Sequence, residues 1–309
     1  MSFDLNPLAS MRPTVFIHTN ARQIVGAQVA RHALKRNSAH PERFDVRLIE
    51  AESHAFIEQR HGQSYRREGL PVVWDANDLQ SFTPLRFAVP AEMGYQGRAV
   101  VIDPDIFAIG DINELLERDM QSHAVLARAI PAKAGEPEHF ASSVMLLDCA
   151  KLSHWQAERQ FGELFEGSRD YRDWMWLLDE PAGSVGALET VWNDFDRLAP
   201  DTRMLHNTNR KTQPWKSGLP AEFVTNGRSR LQRLKQRLRR VGNRLVAGDA
   251  PNGRYKTHPD PAQQQHFFRL VGECLDLGVF SQRFLEDEMA RRHLRPDALA
   301  CVELARRAG

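Results

Sequence analysis

The sequence predicts an α/β fold, a mostly parallel sheet with helices on both faces, followed by a helical C-terminal extension. Apolar, β-rich runs alternate with amphipathic helical stretches through the first two thirds of the chain. The character changes near Phe223, where a basic segment and helical patterns begin. Of the 309 residues, 42% are hydrophobic and 26% charged, which is enough to bury a sizeable core. We therefore expect an α/β domain over 1–222 and a basic, mainly helical extension over 223–309.

The order of the elements follows from the hydrophobic periodicity. The strands are predicted, in order, at 14–18, 44–50, 98–102, 123–130 and 142–148, and a last short strand within 203–209 runs into a polar loop. The helices are predicted at 19–38, 81–94, 151–165, 170–179, 262–280 and 283–294. Two prolines interrupt the second of these helices. Residues 60–80 are polar and contain glycine, so a loop is expected there.

The composition excludes several classes of protein. The net charge is +1, so the whole molecule is not a polyanion binder. The three cysteines are odd in number and none is spaced C-x-x-C, which argues against a disulfide framework or a zinc knuckle. The N-terminus does not read as a signal peptide, and no apolar run approaches 18 residues. A cytoplasmic protein that does not span a membrane is expected.

Local charge is uneven in the extension. The stretch from Arg228 to Arg244 carries eight Arg/Lys and no acid, with a narrow Leu/Val stripe. It has three interpretations: a solvated helix, a peripheral helix on the anionic inner face of a membrane, or a nucleic-acid contact. Aromatic residues are not interleaved with the charges, which makes nucleic acid the weakest of the three, and no nucleic-acid partner is predicted.

A pair of carboxylates ends a buried strand in "VVIDPDI". Asp103 and Asp105 repel each other and are costly to desolvate, but they lie where open α/β sheets bind ligands. A shared divalent cation would cancel the repulsion, and Pro104 would stiffen the turn. Two alternatives remain, a solvated surface turn and a D-x-D phosphatase with Asp103 as nucleophile. Phe107 departs from the usual D-x-D-x-[TV] pattern of such phosphatases.

A histidine follows a later strand and could complete the site. In "RMLHNTNRKTQPWKSG", His206 stands at a strand end and Lys211 and Lys216 follow. An imidazole beside two carboxylates would give a mixed O/N ligand set, and the lysines could meet phosphate oxygens. A single histidine is more often structural than a metal ligand. The reason to consider His206 a ligand is that it follows the carboxylate pair in the sequence and stands at a strand end.

Six motifs occur in an order typical of one enzyme class: "VFIHTNARQ", "FTPLRFAVP", "VVIDPDI", "SSVMLLD", "VWNDFD" and "LHNTNRKTQPWKSG". Over roughly residues 13–220 the chain resembles the retaining nucleotide-sugar glycosyltransferases of the family-8 type. The resemblance implies a GT-A fold, a Rossmann-like nucleotide-sugar domain. It also implies a metal-dependent hexosyltransferase that moves a sugar, by default from a UDP-sugar, to a hydroxyl of a glycan, lipid-linked or protein acceptor.

The resemblance also implies roles for individual residues. Asp103, Asp105 and His206 would bind Mn²⁺ or Mg²⁺, and Asp105, Asp173 and Arg86 would be the catalytic residues. The nucleotide sugar would contact the following residues: His18, Thr19, Asn20, Arg22, Arg86, Ser142, Ser143, Lys211 and Lys216.

Departures from the family pattern leave other functions open. Gln213 stands where the family has a lysine, which moves the phosphate contact to Lys211 or Lys216. The family's asparagine and glycine are replaced in "ASSV", and "HTNAR" stands where typical members carry an acid–Asn–Tyr cluster. A D-x-D phosphohydrolase and a non-catalytic sugar-nucleotide-binding relative are the alternatives.

Overall fold

The computed structural model describes residues 12–133, 135–222, 250 and 253–308. The basic stretch 228–244 lies outside these residues, so its three interpretations stay predictions. The boundary expected after residue 222 borders the same gap and also stays a prediction. The chain divides into two compact units, and the ranges are Met1–Asp194 with Ala199–Leu205 for the first, and Phe195–Leu198 with His206–Gly309 for the second.

The strands and helices are labelled in chain order. The strands are β1 Thr14–Thr19, β2 Asp45–Glu50, β3 Ser64–Arg67, β4 Leu70–Val73, β5 Arg98–Ile102, β6 Ile106–Ala108, β7 Val125–Ile130, β8 His139–Asp148, β9 Val185–Leu188, β10 Asp194–Phe195 and β11 Met204–His206. The α-helices are α1 Ile24–Arg36, α2 Ala55–Gln59, α3 Val89–Glu92, α4 Asn113–Leu116, α5 Ala157–Glu166, α6 Tyr171–Met175, α7 Pro261–Asp276, α8 Gln282–Ala290 and α9 Ala298–Ala308.

The central sheet has six strands in the order β2-β1-β5-β8-β7-β9. β1 pairs in parallel with β2 and β5, and β7 pairs in parallel with β9. β8 is antiparallel to both of its neighbours, so it alone runs against the other strands of this sheet. A smaller sheet has the order β10-β11-β6. The predicted α/β class, with a mainly parallel sheet and C-terminal helices, is confirmed.

The strand register brings three chain segments to one edge of the central sheet. Ile17 of β1 pairs with Ile102 of β5, so the residues that follow them, His18 and Asp103, are neighbours. β8 enters from the opposite direction, and the Asp103 N–H donates to the carbonyl of Ser143 at 3.2 Å. The carboxyl ends of β1 and β5 therefore meet the first half of β8, which is where open parallel sheets place ligands.

The loop expected at 60–80 was wrong in its middle, because β3 and β4 form an antiparallel hairpin there. Glu68 and Gly69 make its turn with φ of 54° and 71°, a conformation that suits two-residue hairpin loops. Tyr65 provides the inward face, with its ring edge-on to Trp74 at 5.7 Å and to Tyr171 at 5.6 Å. In β3 only Tyr65 is buried, and Arg66 and Arg67 follow it, so the sequence shows almost no alternation of apolar and polar residues.

Three predicted helices are shorter than the hydrophobic patterns suggested. The stretch 81–94 forms a 3-10 helix over Thr83–Ala88 and then the short α3, because prolines stand at the start of each piece. The helix predicted at 151–165 begins only at Ala157, and the one at 170–179 ends at Met175. The edge strand β9 was not predicted at all, since four residues with a glycine give little periodic signal.

The 3-10 helix is anchored by one aromatic side chain. The ring of Phe87 stacks on Trp174 at 4.4 Å and lies 4.7 Å from the ring of Trp155. Trp174 is 1% exposed, so its ring is part of the core. With Phe87 held in the core, the adjacent Arg86 reaches the carboxyl edge of the sheet, where it contacts Asp103.

The second unit contains the predicted C-terminal helices. Asp260 is the N-cap of α7, and its carboxylate accepts the N–H of Ala262 at 2.9 Å. Ser281 is the N-cap of α8, and its hydroxyl accepts the N–H of Phe284 at 3.1 Å. α7 packs on α9 at Gly272, where an added Cβ would lie 3.2 Å from Val302. None of the described helices combines the length and the apolar character needed to cross a bilayer.

Gly26 provides a test of how closely α1 packs on the carboxylate turn. A Cβ at this position would lie 2.5 Å from the Pro104 carbonyl oxygen. We expect Gly26→Ala to lower the free energy of unfolding by about 1–3 kcal/mol, because helix and turn must separate. Urea denaturation measures this change.

Gly162 in α5 is the matched control for that substitution. An added Cβ there would meet its nearest atom, on Arg60, at an ordinary 3.6 Å. Gly162→Ala should therefore raise stability by roughly 0.5–1 kcal/mol through helix propensity. Equal stabilisation by both substitutions would contradict the tight contact at Gly26.

Candidate metal centre

Two of the three predicted ligands lie at the carboxyl edge of the central sheet. Asp103 and Asp105 follow β5, and His206 is the last residue of β11 in the smaller sheet. Asp103, Asp105 and His206 each offer one ligand atom, and these atoms all lie within 4.8 Å of one another. The role of the three residues as metal ligands stays a prediction.

The donor set fits a divalent cation. Two carboxylates and one imidazole form the mixed O/N set that suits Mn²⁺, and the carboxylates alone would also accept Mg²⁺. All three residues are at most 9% exposed, so charge repulsion between the carboxylates is weakly screened by water. A cation at this position would relieve that repulsion.

Arg86 already neutralises part of the charge. Its Nη2 lies 2.6 Å from Oδ1 and 2.5 Å from Oδ2 of Asp103, and its Nε lies 3.1 Å from Oδ1. The side chains of the pair are 10% and 11% exposed. A buried ion pair of this kind depends on good geometry, because each ion has lost much of its hydration. The guanidinium therefore fixes the orientation of the Asp103 carboxylate.

His18 is the second group that holds Asp103. The fully buried ring places Nε2 2.8 Å from Asp103 Oδ1. A carboxylate only accepts hydrogen bonds, so Nε2 carries the proton and donates it. The Arg86 Nε–H points towards both Asp103 Oδ1 at 3.1 Å and His18 Nε2 at 3.3 Å, and the ionised carboxylate is the stronger acceptor. Burial lowers the pKa of His18 despite the opposing effect of Asp103, and the imidazole is neutral at pH 7.

The two serines predicted to face the sugar are tied to protein groups. Ser142 Oγ accepts from Arg86 Nη1 at 2.9 Å and donates to the Met175 carbonyl at 2.6 Å. Ser143 Oγ accepts from the side-chain amide of Asn193 at 2.9 Å. Both serines are under 10% exposed. These contacts give the hydroxyls a structural task, and their contact with a sugar stays a prediction.

The turn after β1 holds the other predicted nucleotide residues. Thr19 donates its hydroxyl to the Asn20 carbonyl at 3.2 Å. The Asn20 amide donates to the carbonyls of Asp78 and Leu79 and to the hydroxyl of Ser81, at 3.2–3.4 Å. Arg22 is half-buried in the 3-10 helix before α1. The turn is therefore rigidly attached to the loop that precedes the Arg86 helix.

Asp173 lies on the short helix α6 and is partly exposed, with Arg172 3.0 Å away. The helix is fixed at its N-terminus by Asp170, which accepts the N–H groups of Arg172, Glu68 and Gly69 at 2.7–3.0 Å. One carboxylate thus caps α6 and binds the turn of the β3–β4 hairpin. The Asp173 side chain contacts neither Arg86 nor Asp103 in the hydrogen bonds of the described residues.

The predicted phosphate lysines lie in the second unit. Lys211 is exposed, whereas Lys216 is fully buried with its Nζ 3.2 Å from Glu222 Oε2. A phosphate contact by Lys216 would require the ammonium to exchange or share that carboxylate. The phosphate role of both lysines stays a prediction.

Sequence reasoning did not assign three residues that support the site. Asn193 positions Ser143, Met175 accepts the Ser142 hydroxyl, and Gly26 lets α1 approach Pro104. Asn193 had a usable signal, because the motif "VWNDFD" was already recognised. The Met175 contact uses a backbone carbonyl, which leaves no trace in the sequence.

No family model and no curated protein matches the sequence. Among solved structures, the chain is similar to the glycosyltransferase GlyE of Streptococcus pneumoniae TIGR4, at 17% identity over 72% of this chain, with a TM-score of 0.46. The similarity spans 59% of the length of GlyE.

Two further solved structures are similar to the chain. The galactosyltransferase LgtC, in complex with donor and acceptor sugar analogues, is 14% identical over 65% of this chain and 89% of its own, with a TM-score of 0.46. Mouse xyloside xylosyltransferase 1 is 13% identical over 63% of this chain and 97% of its own, with a TM-score of 0.41. All three TM-scores lie below 0.5.

Arg86→Met should destabilise the fold in the presence of a chelator, because Asp103 would be left buried without its counter-charge. The expected loss in unfolding free energy is about 3–5 kcal/mol, measured by urea denaturation. Asp103→Asn in the Arg86→Met background should recover part of this loss, since a neutral amide needs no cation. Additive losses in the double variant would contradict the coupling of the two side chains.

Asp170 predicts a pH-dependent contribution to stability. Burial alone would raise its pKa, but the backbone N–H groups of Gly69, Glu68 and Arg172 lower it below the ordinary 3.8. The ionised carboxylate therefore stabilises the fold above that pH, and the stabilisation is lost as pH falls through the lower folded-state pKa. We expect Asp170→Asn to cost about 1–3 kcal/mol at pH 7 and progressively less below about pH 4.

Asp45 is the control for the Asp170 experiment, because its half-exposed carboxylate has only Arg12, at 3.3 Å, as an ion-pair partner in the described chain. Asp45→Asn should change the free energy of unfolding by less than about 1 kcal/mol both at pH 7 and below about pH 4. Chemical denaturation of the two variants over pH 3–7 compares them. A constant Asp170→Asn deficit across this range would show that ionisation is not what stabilises the hairpin turn.

Proposed function

We propose that the protein is a metal-dependent glycosyltransferase that moves a sugar from a nucleoside-diphosphate donor to a hydroxyl acceptor. The observation that carries this proposal is the pair of buried carboxylates, Asp103 and Asp105, at the carboxyl edge of the parallel strands β1 and β5, with His206 in the same group of candidate ligands. That edge is where open α/β sheets bind nucleotides. A mixed carboxylate–imidazole site there suits a cation that also binds phosphate oxygens.

The finer assignment follows the ordered motifs of the sequence. We propose a GT-A enzyme of the family-8 type, a retaining hexosyltransferase, with UDP-hexose as the default donor. The sheet of five co-directional strands and one reversed strand accommodates this fold. The acceptor would be a hydroxyl of a glycan, a lipid-linked glycan or a protein. For a lipid-linked acceptor, the basic stretch 228–244 would bring the enzyme to the anionic inner face of the membrane.

The roles of the residues follow from their charges. Asp103, Asp105 and His206 would hold Mn²⁺ or Mg²⁺, which when bound neutralises charge on the departing nucleoside diphosphate. Arg86 orients Asp103 and supplies positive charge beside the donor sugar. Asp173, partly exposed on α6, would line the acceptor pocket. Thr19, Asn20 and Arg22 would flank the nucleotide, and Lys211 or Lys216 would meet its phosphates. His18 is fully buried and would reach the site only through Asp103.

A phosphohydrolase with Asp103 as nucleophile fits the geometry less well. Asp103 Oδ1 receives His18 Nε2 and two nitrogens of Arg86 within 3.1 Å. Hydrogen bonds and an ion pair stabilise the carboxylate and reduce its nucleophilicity. The same contacts suit a ligand carboxylate, whose orientation must be fixed.

Donor binding is tested by thermal unfolding with Mn²⁺ and a panel of UDP-, GDP-, ADP- and CDP-sugars. One nucleotide should raise Tm by several degrees, since a hundredfold excess over Kd stabilises by about 2.7 kcal/mol. Asp105→Ala should abolish both the Mn²⁺-dependent shift and slow hydrolysis of the donor. Asp119→Asn, at an exposed turn, is the matched carboxylate control and should keep both.

Three other results would change the proposal. No shift with any nucleotide, with or without metal, would contradict it. A nucleotide-dependent shift without donor hydrolysis or transfer would identify a binding protein. Turnover of a generic phosphate ester, lost in Asp103→Asn, would establish the phosphohydrolase instead.

A further inference from the structure

We infer that His18 is a positioning residue for Asp103, and that its hydrogen bond sets the affinity of the site for a divalent cation. This inference rests on the proposed function, since it assumes that Asp103 is a metal ligand. It gives His18 a role that differs from the nucleotide contact expected from the sequence. His18 acts through the carboxylate and does not itself touch the donor.

Burial of His18 supports this role. Its side chain is 0% exposed, and its ring lies against Phe82 with a centroid distance of 5.2 Å. A side chain enclosed in this way meets a bound nucleotide only through its neighbours. Asp103, at 2.8 Å from Nε2, is the neighbour that reaches the candidate metal position.

The tautomer of His18 is fixed by its surroundings. The Asp103 carboxylate requires the proton on Nε2, as argued above. Nδ1 is buried and has no hydrogen-bond partner among the described residues, so a proton there would cost the desolvation of an unsatisfied donor. Nε2 of His18 is therefore the donor, and the pairing of β1 with β5 sets its direction.

The charge of the site limits which side chains could replace His18. Asp103 and Asp105 carry two negative charges, and Arg86 offsets one of them. A lysine at position 18 would cancel the remaining charge and oppose metal binding, and a carboxylate there would repel Asp103. The hydrogen bond from Nε2 is therefore the contribution of position 18 that orients Asp103.

Comparable outer-shell hydrogen bonds to ligating carboxylates contribute about 10–100-fold to metal affinity. We expect His18→Leu, which removes the donor, to weaken Mn²⁺ binding within that range. His18→Gln can place an amide N–H near the Nε2 position and should restore binding to within a few-fold of wild type. His18→Lys should bind Mn²⁺ more weakly than His18→Gln, because of its charge.

The experiment measures Mn²⁺ affinity of the full chain without nucleotide, by electron paramagnetic resonance of free Mn²⁺ and by calorimetry. Thr14→Val is the control, since Thr14 is also buried in β1 but lies at its other end and bonds to the Arg12 carbonyl. It should bind Mn²⁺ as the wild type does. Thermal unfolding in chelator separates loss of fold from loss of affinity.

The possible outcomes distinguish the two levels of the proposal. Wild-type affinity in His18→Leu, or equal weakening in His18→Leu and His18→Gln, would overturn the role of the hydrogen bond. Loss of Mn²⁺ binding in Asp105→Ala, seen together with either of these results, would leave the metal site standing. A wild-type chain that does not bind Mn²⁺ at all would overturn both the metal site and the inference.

Discussion

The Asp103 carboxylate joins the elements on which the site depends. It follows β5, receives His18 from the end of β1, and pairs with Arg86 from the 3-10 helix Thr83–Ala88. A carboxylate this buried is several kcal/mol unfavourable unless its partners are well placed. The arrangement of the strand ends and of the 3-10 helix is thus constrained by one charged group.

The hydrophobic core supplies the positions that this charge requires. Phe87 is packed between Trp155 and Trp174, and this fixes the helix from which Arg86 extends. Ser142 then connects the guanidinium to the carbonyl at the end of α6. Apolar packing determines where the backbone lies, and the polar contacts determine which way the charged groups point.

Much of this architecture could be predicted from local sequence. The apolar strand before Asp103 indicated that the carboxylate pair lies at the carboxyl edge of a parallel sheet, where such sheets bind ligands. For His206 the sequence indicated only a strand end, and its strand β11 belongs to the smaller sheet. The hairpin over β3 and β4 was missed, since one buried tyrosine among arginines gives almost no alternation. The contact of His18 with Asp103 was also missed, because it depends on the pairing of Ile17 with Ile102, more than eighty residues apart.

The reversed direction of β8 has a practical consequence. The first half of β8 lies at the carboxyl edge of the sheet, beside Asp103. Its last residue, Asp148, therefore pairs with Arg98 at the start of β5, at the opposite end of the strands. The chain then continues to Lys151, a partly exposed side chain on that remote side. A fluorescent label or surface tether attached there would report on the molecule, or immobilise it, while leaving the metal edge unobstructed.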